Sequence, residues 1–341
     1  MLPDLPAERL REWLRRMLLI RRFEEELFHL VKAGHHFGHF HLYIGQETTG
    51  VPALALLTPD DYTATTHRNH GHLLARGADP GRLLAEILGK ATGYCHGKGG
   101  TLHATARELG FLSTSAIVGG VLPVATGAAF AAKQRGTTQV SVCCFGDGAM
   151  EEGAYYEAIN MASLWALPAI YLCENNSFGA PGTKAGEYSS STIAAARLTD
   201  LAAAFRVPAV TVDGTDAAAV HRAMSEAIAR ARGGGGPTFL EAQTVRWPGS
   251  RPLWPELLTG VTDLAMAWDP AHIPQEHADW HATHDGLLRF TRDLLAAGAA
   301  TQDEILALDR AVRGEMARAR TFALESPEPA PEAALEDVFA P

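Results

Sequence analysis

Two short polar clusters in the middle of the chain have residue types that could work together. The first is Gly146-Asp147-Gly148 and the second Asn175-Asn176, with residues 149–174 between them. A carboxylate and a carboxamide oxygen that converge make half of a Mg²⁺ site. Phosphate oxygens and water would complete the octahedron. That is the donor set of a diphosphate-bearing ligand held through a metal ion, provided the fold brings the two clusters to one place.

The surrounding sequence predicts that it does. Residues 140–145 are a short apolar run stopped by glycines, as expected of a strand buried on both faces of a parallel sheet. Residues 152–164 have helical spacing, with Tyr155, Ile159, Ala162 and Ser163 on one side. Pro168 precedes a second apolar run, 169–173. A strand–helix–strand unit of this length is right-handed and returns its second strand beside the first. Asp147 and Asn176 are therefore expected at the same carboxyl edge of one sheet, where open α/β sheets bind ligands.

Further elements follow from the same signals. An amphipathic helix is expected over 10–33, with Trp13, Met17, Ile20, Phe23, Leu27 and Leu30 in one stripe. A strand over 60–66 leads into His-Arg-Asn-His, which puts charged side chains at that same edge. A short helix is predicted at 80–89. Residues 95–115 are glycine-rich without periodicity and read as a long functional loop. The remaining helices are expected at 119–134, at 217–232 and within 286–324, where Thr301 reads as an N-cap ahead of Asp303 and Glu304, and strands at 208–212 and 237–246. Residues 247–282 read as irregular and 326–341 as an extended tail. No repeat or linker divides the chain, so one domain over 1–325 is expected. The fold class is α/β, a mostly parallel sheet with helices on both faces.

Composition narrows the function. With 47% apolar residues the chain can bury a sizeable core, and a formal charge of −10 without a dense Lys/Arg run argues against nucleic acid or an anionic membrane as partner. Cys95, Cys143, Cys144 and Cys173 form no metal-binding spacing, and three of them fall in or beside strands, as reduced thiols of a cytoplasmic protein would. No secretory signal is visible, and the apolar stretch 121–132 is too short to span a bilayer. His35, His36 and His39 lack a second set of ligands, and Glu151 and Glu152 suit a helix N-terminus better than acid catalysis. Lys98 could either position an anionic substrate or solvate its loop.

Several motifs in order, FHLYIGQE, TTHRNHGHLLARG, GKGGTLH, IVGG, GDGAMEEG, CENNSFGAPGT and the closing ESPEP…DVF, resemble the α subunit of the thiamine diphosphate-dependent first component of 2-oxo acid dehydrogenase complexes. The resemblance runs from about residue 10 to 246 and resumes near 284. It implies the thiamine diphosphate-binding fold, with Mg²⁺ bound by Asp147, Asn176 and the carbonyl of Phe178. Gly148 and Ala149 would offer backbone donors to the diphosphate, and Arg68 its guanidinium. His67 stands where the family usually has Tyr, Ala116 and Val118 match backbone positions beside the aminopyrimidine, and His41 and His70 are candidate catalytic residues.

The resemblance also implies a partner. The Glu that activates the cofactor in this family comes from a β subunit, so an α₂β₂ tetramer is expected, together with a lipoyl acyltransferase or an acyl carrier protein as acceptor. One departure stands out: Ser250 occupies the apparent position of a family His, between Pro248 and Pro252. Decarboxylation of a 2-oxo acid with acyl transfer to a lipoyl group is the leading expectation. A split transketolase-like or acyl-carrier-directed transferase is the alternative, and a silent scaffold a third.

Overall fold

The structure is a computed structural model and describes residues 2–35, 38–176, 193–251 and 254–336. The expected His36, Pro252 and Phe178 lie outside the described residues. The described residues build a six-stranded, wholly parallel sheet from β1 (Tyr62–Thr66), β2 (Phe111–Ser115), β3 (Ser141–Gly146), β4 (Ala169–Asn175), β5 (Ala209–Asp213) and β6 (Thr238–Gln243). The strand order is β2-β1-β3-β4-β6-β5.

Alternation along the central strands explains why both faces are covered. Val142, Cys144, Ile170, Leu172 and Leu240 feed one core, whereas Cys143, Phe145, Tyr171, Cys173 and Phe239 feed the other. The second core is closed by α5 (Val121–Gln134), α6 (Gly153–Leu164) and α7 (Leu198–Ala203). The small residues of α5, including Ala125 and Ala129, let it lie against β1 and β3. The first core is larger. It takes α1 (Ala7–Lys32), α2 (Glu47–Leu54), α3 (His70–Ala75), α4 (Pro80–Ile87), α8 (Ala217–Arg232), α9 (Gly286–Ala296) and α10 (Gln302–Glu325). Fully burying each large apolar side chain contributes about 1.5–3 kcal/mol against the entropy of ordering the chain.

The predicted stripe of α1 is buried throughout, but so are Arg21, Arg22, Glu24 and Glu25 on its other sides. Arg21 donates to Glu47 at 2.6 Å and forks onto both oxygens of Asp285 at 2.9 Å. Arg22 forks onto Asp309 at 2.8 and 3.1 Å. These ion pairs tie α1 to α2, to the start of α9 and to α10.

Three expectations need correction. Residues 95–115 are not wholly loop: Phe111–Ser115 forms β2, the edge strand paired with β1, because Phe111 is buried and the following Ser and Thr residues suit a half-covered strand. Helices α2 and α7 carry no strong periodic stripe over their short length and were not expected from the sequence. The helices expected within 286–324 are α9 and α10, and Thr301 stands at the N-cap of α10 as its sequence indicates. Its hydroxyl accepts from Glu304 N at 3.2 Å, and the Glu304 carboxylate accepts from Thr301 N at 2.7 Å. The extended tail is interrupted by a 3₁₀ turn over Pro331–Leu335.

Candidate active site

Strand order sets the position of the site. The chain passes from β1 outward to β2, then crosses to place β3 on the other side of β1, so β1 and β3 flank the point where the winding reverses. A cleft of about 140 Å³ opens there, at the carboxyl ends of the strands. It is lined by Thr66, His67 and Arg68 after β1, Ser115 at the end of β2, Gly146 to Ala149 after β3, Glu174 and Asn176 at the end of β4, and Arg246 beyond β6. Gln46, at the N-cap of α2, closes one side.

The register brings the two clusters together. Gly146 pairs with Glu174 across β3 and β4, so Asp147 and Asn176 follow at neighbouring strand tips. Asp147 is 3% exposed and opens a 3₁₀ turn, Asp147–Glu151, that precedes α6. Glu152 sits at the N-cap of α6, but its side chain makes no capping bond there. Asn176 is held on both ends of its amide: Nδ2 donates to Gln46 Oε1 at 2.9 Å, and Oδ1 accepts from Arg246 Nε at 2.8 Å. A carboxamide oxygen has two lone pairs, so one of the pair remains for a cation. Beneath them Asn175 donates to Glu241 at 2.8 Å, fixing the end of β4. A carboxylate and an amide oxygen at adjacent tips, open to a cleft of this size, fit a Mg²⁺ ion that takes its other ligands from phosphate and water. Among the described residues no cluster of three or more His, Cys, Asp or Glu gathers into a metal site of another kind.

The lining is also cationic. Arg68 is buried, donates to the carbonyl of Leu42 and lies over the Trp247 ring at 5.9 Å. Burial and the neighbouring Arg246 push its pKa down to about 10. The His67 imidazole is pushed down to about 4, first by burial and then by Arg68 and Arg246. His41 does not line the cleft but stacks edge-on against His67, ring centroids 4.4 Å apart.

The floor is a buried polar cluster. The Tyr43 hydroxyl donates to Glu174 Oε1, and His72 Nε2 lies 3.1 Å from Glu174 Oε2. His72 Nδ1 meets the Thr65 hydroxyl at 2.7 Å. Burial alone would disfavour the imidazolium, but Cys144 and Glu174 hold the His72 pKa up at about 10. The Tyr43 ring rests on bare backbone: a Cβ on Gly71 would fall 2.0 Å from it and one on Gly50 only 2.5 Å from its hydroxyl. That close approach is why both positions carry glycine.

Of the residues expected from the sequence, His67, Arg68, Val118, Asp147, Gly148, Ala149 and Asn176 come together around the cleft. Ala116 lies between two lining residues, Ser115 and Ile117, without lining it itself. His70 is placed elsewhere. It is fully buried at the start of α3, with Nδ1 3.1–3.2 Å from the Glu24 carboxylate and Nε2 2.9 Å from the Thr101 hydroxyl. Both nitrogens are engaged away from the cleft, so the geometry fits a residue that positions the β1–α3 turn rather than one that touches a ligand. Ser250 is buried, its backbone N–H donating to Trp247 O at 3.0 Å, and it does not line the cleft. Lys98 bonds the carbonyl of Glu336 in the C-terminal tail and is likewise absent from the lining.

Gln46, Glu174 and Arg246 belong to the site but were not singled out from the sequence. Arg246 and Glu174 had a readable signal, because each lies at or just beyond the carboxyl end of an expected strand. Gln46 had only its place beside the aromatic run FHLYIG.

Comparison with known proteins supplies a second line of evidence. Residues 15–251 match the family described as dehydrogenase E1 component. The α subunit of acetoin:2,6-dichlorophenolindophenol oxidoreductase of Cupriavidus necator is 38% identical over 325 residues, covering 95% of this chain and 92% of that one. The α subunit of the same name from Bacillus subtilis is 45% identical over 231 residues, 68% of each. The pyruvate dehydrogenase E1 component α subunit of Zymomonas mobilis is 39% identical over 340 residues, covering 97% of this chain and 90% of that one.

Proposed function

Because the chain belongs to the dehydrogenase E1 component family, we propose that it is the α subunit of a two-subunit, thiamine diphosphate-dependent enzyme. The reaction is decarboxylation of a 2-oxo acid with acyl transfer to a lipoyl acceptor. The observation that carries this reading is the cleft at the β1/β3 reversal, which Asp147, Asn176, Arg68 and Arg246 line together.

Each side chain then has a task. Asp147 and the remaining lone pair of Asn176 Oδ1 hold Mg²⁺, with the carbonyl of Phe178 as a third protein ligand by family resemblance. Arg68 and the backbone N–H groups of Gly148 and Ala149 hold the diphosphate, a role suited to a guanidinium fork and to the start of a helical turn. The backbone around Ala116 and Val118 runs beside the aminopyrimidine ring. Thiamine diphosphate, when bound, supplies the electron sink that carboxylate loss requires. His41 packs behind His67 and is the candidate for moving a proton at the cleft. His70 acts through the turn it holds.

A β subunit supplies the activating Glu, in an α₂β₂ assembly. Cys143, Cys144 and Cys173 are free and buried, which supports a cytoplasmic setting. Among the described residues no helix is long and apolar enough to cross a membrane.

The test is to purify the chain with its β partner and titrate thiamine diphosphate with Mg²⁺. Carbon dioxide release is then followed with pyruvate and other 2-oxo acids, using a lipoyl domain or an acyl carrier protein as acceptor. Metal-dependent cofactor uptake with lipoyl-linked turnover is expected. Cofactor uptake with transfer to the carrier alone would move the chain to the transferase reading, and no uptake would leave a scaffold.

A further inference from the structure

His67 is half-buried at the carboxyl end of β1, inside the cleft lining. The charged groups facing it come from four elements. Arg68 follows it on the same turn, Arg246 comes from beyond β6, and Asp147 and Glu174 come from the tips of β3 and β4. The His41 ring packs against it from the segment before α2. Glu174 is already engaged by Tyr43 and by His72, and the charges that act on the His67 ring are those of Arg68 and Arg246. What His67 meets in the open cleft is therefore two guanidinium groups and little opposing charge. Burial and those two groups push its pKa to about 4, leaving the ring neutral near neutral pH.

A diphosphate changes this balance. An opposite charge within about 4–6 Å favours the protonated ring by about 10- to 1000-fold. We infer that His67 is a proton-linked contact for the anion: neutral in the open cleft, it takes one proton from the medium as the diphosphate arrives and holds it as an imidazolium. No bond other than the new N–H forms, and the proton comes from the buffer. The inference rests on the thiamine diphosphate reading and deepens it, because a tyrosine at this position would donate a hydrogen bond without any proton uptake.

The sign of the linkage is fixed. The bound state carries more protons than the free state between pH about 4 and the raised value of the complex, so lowering the pH across that window tightens binding. The limit is about tenfold per pH unit, and the dependence disappears above the window.

The experiment is calorimetric titration of inorganic pyrophosphate with Mg²⁺ into the full chain purified with its β partner at pH 6, in two buffers of different ionisation heat. The wild-type chain, His67→Gln and His67→Tyr are compared, so that the ionisation of pyrophosphate itself cancels. Wild type should take up more protons per site than either variant, from about 0.1 for a tenfold effect to about 0.9 for a thousandfold one. The His67 ring nitrogens of the wild-type chain, followed by NMR, should pass from neutral to imidazolium shifts on adding the anion, a readout that needs no variant to fold. Equal proton numbers together with unchanged ring shifts would overturn the inference and leave the cofactor reading standing. Failure of the wild-type chain to bind pyrophosphate at all would overturn both.

Discussion

At position 147 burial and chemistry pull in opposite directions: the carboxylate is 3% exposed, yet it ends a strand at the wall of a cleft. A residue placed there for stability alone would be apolar. Asp147→Asn should therefore keep the melting temperature of the wild type while weakening Mg²⁺-dependent thiamine diphosphate binding at least about 100-fold, read by calorimetry. Equal affinity in the variant would contradict the metal assignment. His72 makes a different prediction. Its pKa is about 10 in the folded chain against 6.5 for a free side chain, so its pairing with Glu174 contributes stability that is complete below pH 6.5 and is lost as the pH rises through about 10. The melting-temperature gap between wild type and His72→Gln should be widest in acid and close in alkali; a gap independent of pH would deny the imidazolium. Asp147, Asn176 and Arg68 were legible from sequence because they end strands with clear apolar patterns. His70 was harder to read, because a motif gives a residue's neighbourhood but not the partners of its ring, and here Glu24 and Thr101, distant in sequence, engage both nitrogens.

Helices and strands were readable to the extent that their own residues specify them. The long elements α1, α5, α8 and α10 announce themselves by periodicity and caps, whereas β2 and α2 depend on what they pack against. The capping box of α10 is local in this sense, and Thr301→Ala should cost about 1 kcal/mol in denaturant unfolding, with no change in the cleft. Helix α1 shows the reverse case. Its alternating Arg and Glu look like a solvated face, but Arg21 is 1% exposed, between the fully buried Glu47 and Asp285. Burial alone would raise the Asp285 pKa; Arg21 and His281 hold it below the usual carboxylate range. Arg21→Met would leave two carboxylates enclosed without their counter-ion, and a loss of about 3–5 kcal/mol is expected by equilibrium unfolding. A loss below about 1 kcal/mol would show the ion pairs to be dispensable.

On the scale of the whole molecule, the parallel sheet with helices on both faces followed from alternation between strand and helix signals, and the site followed from the sheet's winding. Around the mouth of the cleft the described residues form an apolar lip. Ile117 and Val118 belong to the lining yet are 72% and 47% exposed, and Val124 on the adjoining α5 is exposed as well. Exposed apolar residues at the mouth of a polar cleft suit coverage by a second chain, as the two-subunit reading proposes. Retention of a ligand there then becomes a matter of concentration: each time the two chains separate, the ligand can diffuse away. Dilution should inactivate the enzyme slowly, and excess thiamine diphosphate in the diluent should delay the loss. Residence time in such an arrangement is a property of the assembly, so a change at the Ile117 lip could shorten the working life of the enzyme without altering any residue that grips the ligand.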